Sequence, residues 1–115
     1  MKYILFVFVL IFTGCATKGE KKCLDTDWYD VGLADAISGE ATLQHDKYAN
    51  ECKEFKVSIN KAGYVKGYED GLDQYCTYKN GYQRGKDNLE SHPFCKNINS
   101  LFENAYLEAK RKFHK

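Results

Sequence analysis

The sequence predicts an all-α fold, a small bundle of four to five short helices stapled by two disulfides. Three observations lead there. From Asp27 onward, apolar and aromatic residues recur at spacings of three and four, and no persuasive strand-like alternation interrupts them. Five cysteines stand in 115 residues, and if the first is spent at the N-terminus four are left for cross-links. Between Asn60 and Gly85, the glycines Gly63, Gly67 and Gly71 fall four apart beside Tyr64, Tyr68 and Tyr75. On a helix they form one bare stripe. Each such glycine costs roughly 1 kcal/mol relative to alanine, so the stripe needs a second backbone packed against it.

The chain opens with Lys2, an apolar run from Tyr3 to Phe12, and then Thr13-Gly14-Cys15-Ala16. This is a secretory signal, too short to span a bilayer of ~30 Å as a mature helix. Thr13-Gly14-Cys15 resembles the lipobox of bacterial lipoproteins, with Phe12 where leucine is usual. The resemblance implies cleavage before Cys15 and acylation of its sulfur, palmitate among the chains. Residues 1–14 are then the signal peptide, 15–22 the lipidated cysteine and a tether, and 23–115 a single domain. Ala16 in place of aspartate resembles the sorting signal for the outer membrane, with the domain facing the periplasm.

Loss of residues 1–14 removes only one charged residue, Lys2, and leaves 16 basic and 16 acidic side chains in 101 residues. That balance excludes the concentrated basic face that nucleic acid demands. Membrane attachment would come from the acyl chains, two of which bind far more stably than one.

Asp27 is placed to cap a first helix reaching about Gly39, with Trp28, Gly32, Asp35 and Gly39 along one side. A second helix is expected from about Leu43 to Phe55, with His45, Tyr48, Ala49, Cys52 and Phe55 as its buried stripe. Asn60 is a good cap for the third, which runs to Tyr75 or Cys76 and whose glycine stripe receives the Trp28 helix. Asn80-Gly81 reads as a turn, with a shorter helix or coil beyond it up to Ser91-His92-Pro93. Ser100 and Glu103 have capping-box spacing ahead of the last helix, in which Phe102, Ala105, Tyr106, Ala109 and Phe113 form an amphipathic stripe.

Cys23, Cys52, Cys76 and Cys95 permit three pairings. Cys23–Cys52 with Cys76–Cys95 is favoured because sequence neighbours tend to be spatial neighbours. Each bridge would contribute on the order of 3 kcal/mol.

Asp27-Trp28-x3-Gly32-x2-Asp35-x3-Gly39, His45, Cys52, Asn60-x3-Tyr64-x2-Gly67-Tyr68-x2-Gly71-Leu72-x2-Tyr75-Cys76, Gly81-Tyr82-x2-Gly85, Cys95 and Phe102-x3-Tyr106 together resemble a family of small bacterial envelope lipoproteins. It is known as a domain of unknown function, family two-seven-nine-nine. Asn60 stands where the family has aspartate, and residues 87–94 depart from its pattern. The resemblance implies location and fold kinship and brings no activity, cofactor or catalytic residue.

The remaining candidates are chemical. Asp35 is an acid on the Trp-Gly face: with His45 as partner it reads as a general base or ligand carboxylate, and otherwise as a group hydrogen-bonded to a neighbouring helix. The three histidines are scattered, so no metal site or cofactor is expected. No serine lies in a nucleophile elbow, and the cysteines are oxidised, so no catalytic residue is assigned. Tyr64, Tyr68 and Tyr75 read as core, Tyr78 and Tyr82 as an exposed pair near the turn. The expectation is a non-enzymatic envelope lipoprotein that binds an envelope protein. A glycan or small-molecule site built on Trp28, Asp35 and the tyrosines is the alternative, and a small hydrolase comes third.

Overall fold

The computed structural model describes residues 18–115, and the described residues fold into seven helices without a strand. These are α1 (Lys18–Asp25), α2 (Trp28–Ile37), α3 (His45–Lys53), α4 (Lys61–Tyr75), α5 (Tyr78–Lys86), α6 (Cys95–Ile98) and α7 (Ser100–Phe113). Both expected disulfides form, Cys23–Cys52 and Cys76–Cys95, closing separations of 29 and 19 residues. The signal segment and Cys15 lie outside the described residues.

Local chemistry sets most boundaries. Asp27 accepts the Tyr29 amide at 3.0 Å to start α2, and Asn60 accepts that of Gly63 at 2.9 Å to start α4. Three helices end in the same way, with a left-handed residue that lets two amides turn back onto the last carbonyls. After α2 it is Gly39, at φ +85°, with Gly39 N–H bonded to Ala36 O and Glu40 N–H to Asp35 O. After α3 and α5 the position is held by Lys56 (φ 58°) and Asn88 (φ 56°).

Two helix pairs make up the domain, each interlocked through glycine. α2 lies on α4 so closely that a Cβ on Gly32 would stand 2.0 Å from Tyr64 O, and one on Gly67 would stand 1.9 Å from Tyr29 O. Gly71 faces Leu33 O and the Ala36 methyl, both 2.7 Å from where its Cβ would be. The Trp28 helix therefore docks on the stripe of α4, as its glycines imply, with one correction. Gly63 is turned away from α2 and faces the side chain of its own cap, Asn60.

The second pair corrects the turn expected at Asn80-Gly81. Both residues lie inside α5, which Thr77 caps by accepting the Asn80 amide. A Cβ on Gly81 would meet Phe102 O, and one on Gly85 would meet Tyr106 O, each at 2.2 Å, so these glycines seat α5 against α7. Asn80 is held by its amide, which donates to Tyr75 O at 2.8 Å.

Other elements differ from expectation. Lys18–Lys22, read as a tether, belong to α1, because Gly19 rests on the Phe55 ring and Cys23 is bonded to Cys52. α7 is capped by Asn99 and not by Ser100. Asn99 accepts the Leu101 amide at 3.0 Å while donating to Cys76 O at 2.9 Å, a link that a serine hydroxyl is too short to make. Glu103, the expected capping-box acid, instead accepts the Ser91 hydroxyl.

The pairs meet at the turn after α2. Glu40 O accepts the Tyr68 hydroxyl at 2.6 Å and His92 Nε2 at 3.2 Å, and Arg84 donates to Gly39 O at 3.4 Å. Tyr64, Tyr68, Phe102 and His92 fill the space behind, all at most 2% exposed. The Cys76–Cys95 bridge ties the end of α4 to α6 at the same joint.

Candidate functional site

Asp35 sits on the last turn of α2, half-buried, where α3 and α4 converge. Its Oδ2 accepts the Tyr64 hydroxyl at 2.7 Å and the Tyr48 hydroxyl at 3.1 Å. Tyr64 Oη accepts in turn the Gln44 amide at 3.0 Å, which fixes the start of α3. The carboxylate thus binds three helices together.

Burial, and then the Asp35 hydrogen bond, push Tyr48 up to about 12 and drive Tyr64 higher in the same direction. Both phenols stay protonated and donating. Tyr68 is likewise raised to about 12, chiefly by burial. Asp35 is therefore already engaged as an acceptor, a poor arrangement for a general base, which needs an open lone pair facing substrate.

His45, the imagined partner of Asp35, points elsewhere. Its ring meets Tyr64 edge-on at 5.8 Å, and Nδ1 stands 3.3 Å from Asp46 Oδ1 without the directionality of a hydrogen bond. Asp46 is paired more firmly with Lys61 at 3.1 Å, which holds its carboxyl below the usual range. Trp28 is 8% exposed, with Tyr48 packed at 5.5 Å, so its indole serves the core and offers no open platform for a sugar ring. Among the described residues no three His, Cys, Asp or Glu side chains converge to hold a metal ion.

Tyr78 and Tyr82 do share a surface. They stack at 6.2 Å on the outer side of α5, Tyr82 meets Phe113 edge-on at 6.2 Å, and Tyr78 donates to Glu108 at 2.8 Å. Lys86 and Lys112 lie over the Phe113 ring at 5.3 and 5.6 Å. With Tyr78 47% and Phe113 44% exposed, this is an aromatic face with a cationic rim. Phe113, the last member of the α7 stripe, lies against Tyr82 and Lys86 of α5 and stays partly open to solvent.

Two features had no signal in the sequence. His92 is fully buried at the joint, where Nε2 donates to Glu40 O and Nδ1 accepts the Phe94 amide at 3.3 Å; burial draws its pKa down and keeps it neutral. A cavity of about 430 Å³ opens between the end of α3 and the start of α4, with Lys53, Lys56 and Lys61 in its lining.

This geometry defines a small all-α, disulfide-stapled domain whose helices are keyed together by glycine. The chain belongs to the family described as "Protein of unknown function (DUF2799)", which matches residues 27–111. It is also similar to the uncharacterized protein YfiL of Escherichia coli (strain K12), 30% identical over 100 residues, covering 84% of this chain and 78% of that protein. No solved structure matches.

Proposed function

We propose that the chain is a lipoprotein of the bacterial envelope, anchored by acyl chains on Cys15 at the outer membrane, whose periplasm-facing domain is an interaction module and not an enzyme. The observation that carries this reading is the run from Tyr3 to Cys15, an export signal ending in a lipobox. The fold supports it. α1 begins three residues after Cys15 and is bonded through Cys23 to α3, so the domain would be held close against the bilayer.

The contact face in this reading is the exposed Tyr78 and Phe113 with the half-buried Tyr82 between them, aromatic rings with polar or cationic neighbours. A protein or a glycan of the envelope is the partner. The glycan alternative survives only on this face, since Trp28 is packed away.

Mass spectrometry of the N-terminal peptide tests the anchor, and a photo-crosslinking residue at Tyr82 in intact cells tests the face. Acylated Cys15 at the mature N-terminus and a discrete crosslinked envelope partner are expected. An unacylated chain in the soluble fraction would overturn the reading.

A further inference from the structure

We infer that the cavity between α3 and α4 receives the phosphate-bearing headgroup of an anionic lipid. Its lining joins the apolar Ala49, Val57 and Ile59 to Lys53, Lys56 and Lys61 and holds no acidic residue; Lys61 also pairs with Asp46 at 3.1 Å, so an entering phosphate would share that cation. A volume of about 430 Å³ suits a small ligand. Lysines complement a phosphate, and the apolar part of the lining suits a glycerol unit and the first methylenes beyond it.

The wall is preformed. Lys56 N–H bonds to Lys53 O at 2.9 Å and Val57 N–H to Cys52 O at 3.1 Å, which turns the chain sharply into the cavity. The left-handed residue of that motif is usually glycine, yet a lysine holds it at φ 58°. Lysine thus sets a cationic side chain where a bare residue would fold more easily.

Position relative to the membrane selects the ligand, and here the inference rests on the anchoring proposed above. Gly19 sits on the ring of Phe55, in the segment that lines the cavity, and Cys15 precedes Gly19 by four residues. The three steps from Cys15 to Lys18, where α1 begins, reach at most about 11 Å. An acylated Cys15 therefore places the lysines of the cavity beside the headgroup layer, within the range where surface charge acts.

The test uses the acylated full chain in lipid nanodiscs, reading amide exchange over residues 53–61. In discs containing phosphatidylglycerol, exchange should slow by roughly fivefold or more relative to phosphatidylcholine discs, the factor that one lysine supplies near an anionic surface. A combined Lys53→Gln, Lys56→Gln, Lys61→Gln chain should lose this protection, whereas the same change at the exposed Lys79, Lys96 and Lys115 should retain it. Lys56→Gly should melt no lower than the parent and yet lose part of the protection, which separates binding from folding. Equal exchange in both discs, or equal loss in the two triple variants, would overturn the site. Protection by inorganic phosphate in phosphatidylcholine discs would overturn the lipid source in favour of a soluble anion. Acylation without protection removes the site and leaves the anchor standing. Binding to phosphatidylglycerol vesicles by a chain found unacylated does the reverse.

Discussion

Gly67 and Tyr29 touch backbone to backbone: a Cβ added to Gly67 would lie 1.9 Å from the Tyr29 carbonyl oxygen. No rotamer relieves that clash, because neither atom belongs to a movable side chain. Gly67→Leu should therefore unfold the domain, and Gly67→Ala should cost about 3 kcal/mol or more in chemical denaturation. Gly63→Ala is the control. The atoms nearest its new methyl belong to the movable Asn60 side chain, and gained helix propensity offsets the adjustment, so a change under about 1 kcal/mol is expected.

Gly81→Ala should behave like Gly67→Ala, since its Cβ would stand 2.2 Å from Phe102 O. A stable, fully folded Gly81→Ala chain would contradict the docking of α5 on α7.

His92 gives the domain an acid-sensitive joint. Its folded pKa lies below the ordinary 6.5, through burial first and the nearby Arg84 charge last, while the Glu40 carbonyl works in the opposite direction. The unfolded chain thus takes up the proton first. The full contribution of His92 is present above about 6.5 and is lost as pH falls through the depressed folded value. Melting temperature should drop over that interval, and His92→Gln should flatten the drop.

Tyr48 is the alkaline counterpart. Raised to about 12 from 10.0, it contributes stability that is complete below 10.0 and lost as pH rises through the folded value. Asp35→Asn should lower the Tyr48 midpoint in an ultraviolet titration without returning it to 10.0, because burial, the larger cause, remains.

Tyr82→Ala is expected to leave the fold intact, at a cost of no more than about 1 kcal/mol, and to abolish crosslinking from the α5 face. Simultaneous loss of folding would assign Tyr82 to packing alone.

What could be read in the sequence was what local chemistry decides. Asp27 and Asn60 cap their helices through amides two and three residues away, so the starts of α2 and α4 were legible. Gly32 and Gly67 were legible as a docking stripe because glycine at helical spacing has a cost that asks for a reason. The same argument applied to Gly81 and Gly85, but Asn80-Gly81 carries a turn signature, and the residues that decide against it, Phe102 and Tyr106, lie over twenty positions away. The joint was hidden for a similar reason. His92 and Glu40 are joined through a main-chain carbonyl, which has no identity in the sequence. Asp35 was legible as a group hydrogen-bonded to a neighbouring helix, as its bonds from Tyr48 and Tyr64 show, whereas the reading that paired it with His45 does not hold.

The paired glycines also govern how the molecule can move. A helix that slid by one residue along its partner would drive a side chain into a carbonyl at Gly32, Gly67, Gly81 and Gly85. Each pair is thereby locked in register and behaves as a rigid body, closed to the sliding adjustments open to helices packed through flexible side chains. The two bodies meet at the Gly39–Glu40 joint, where Arg84 and His92 bond to main-chain carbonyls, Tyr75 packs on His92 and Phe102, Tyr68 packs on Phe94, and the Cys76–Cys95 bridge ties α4 to α6. Adjustment of one pair against the other therefore falls on the side chains of this joint, Tyr75, Arg84 and His92 among them, and not on the glycine seams.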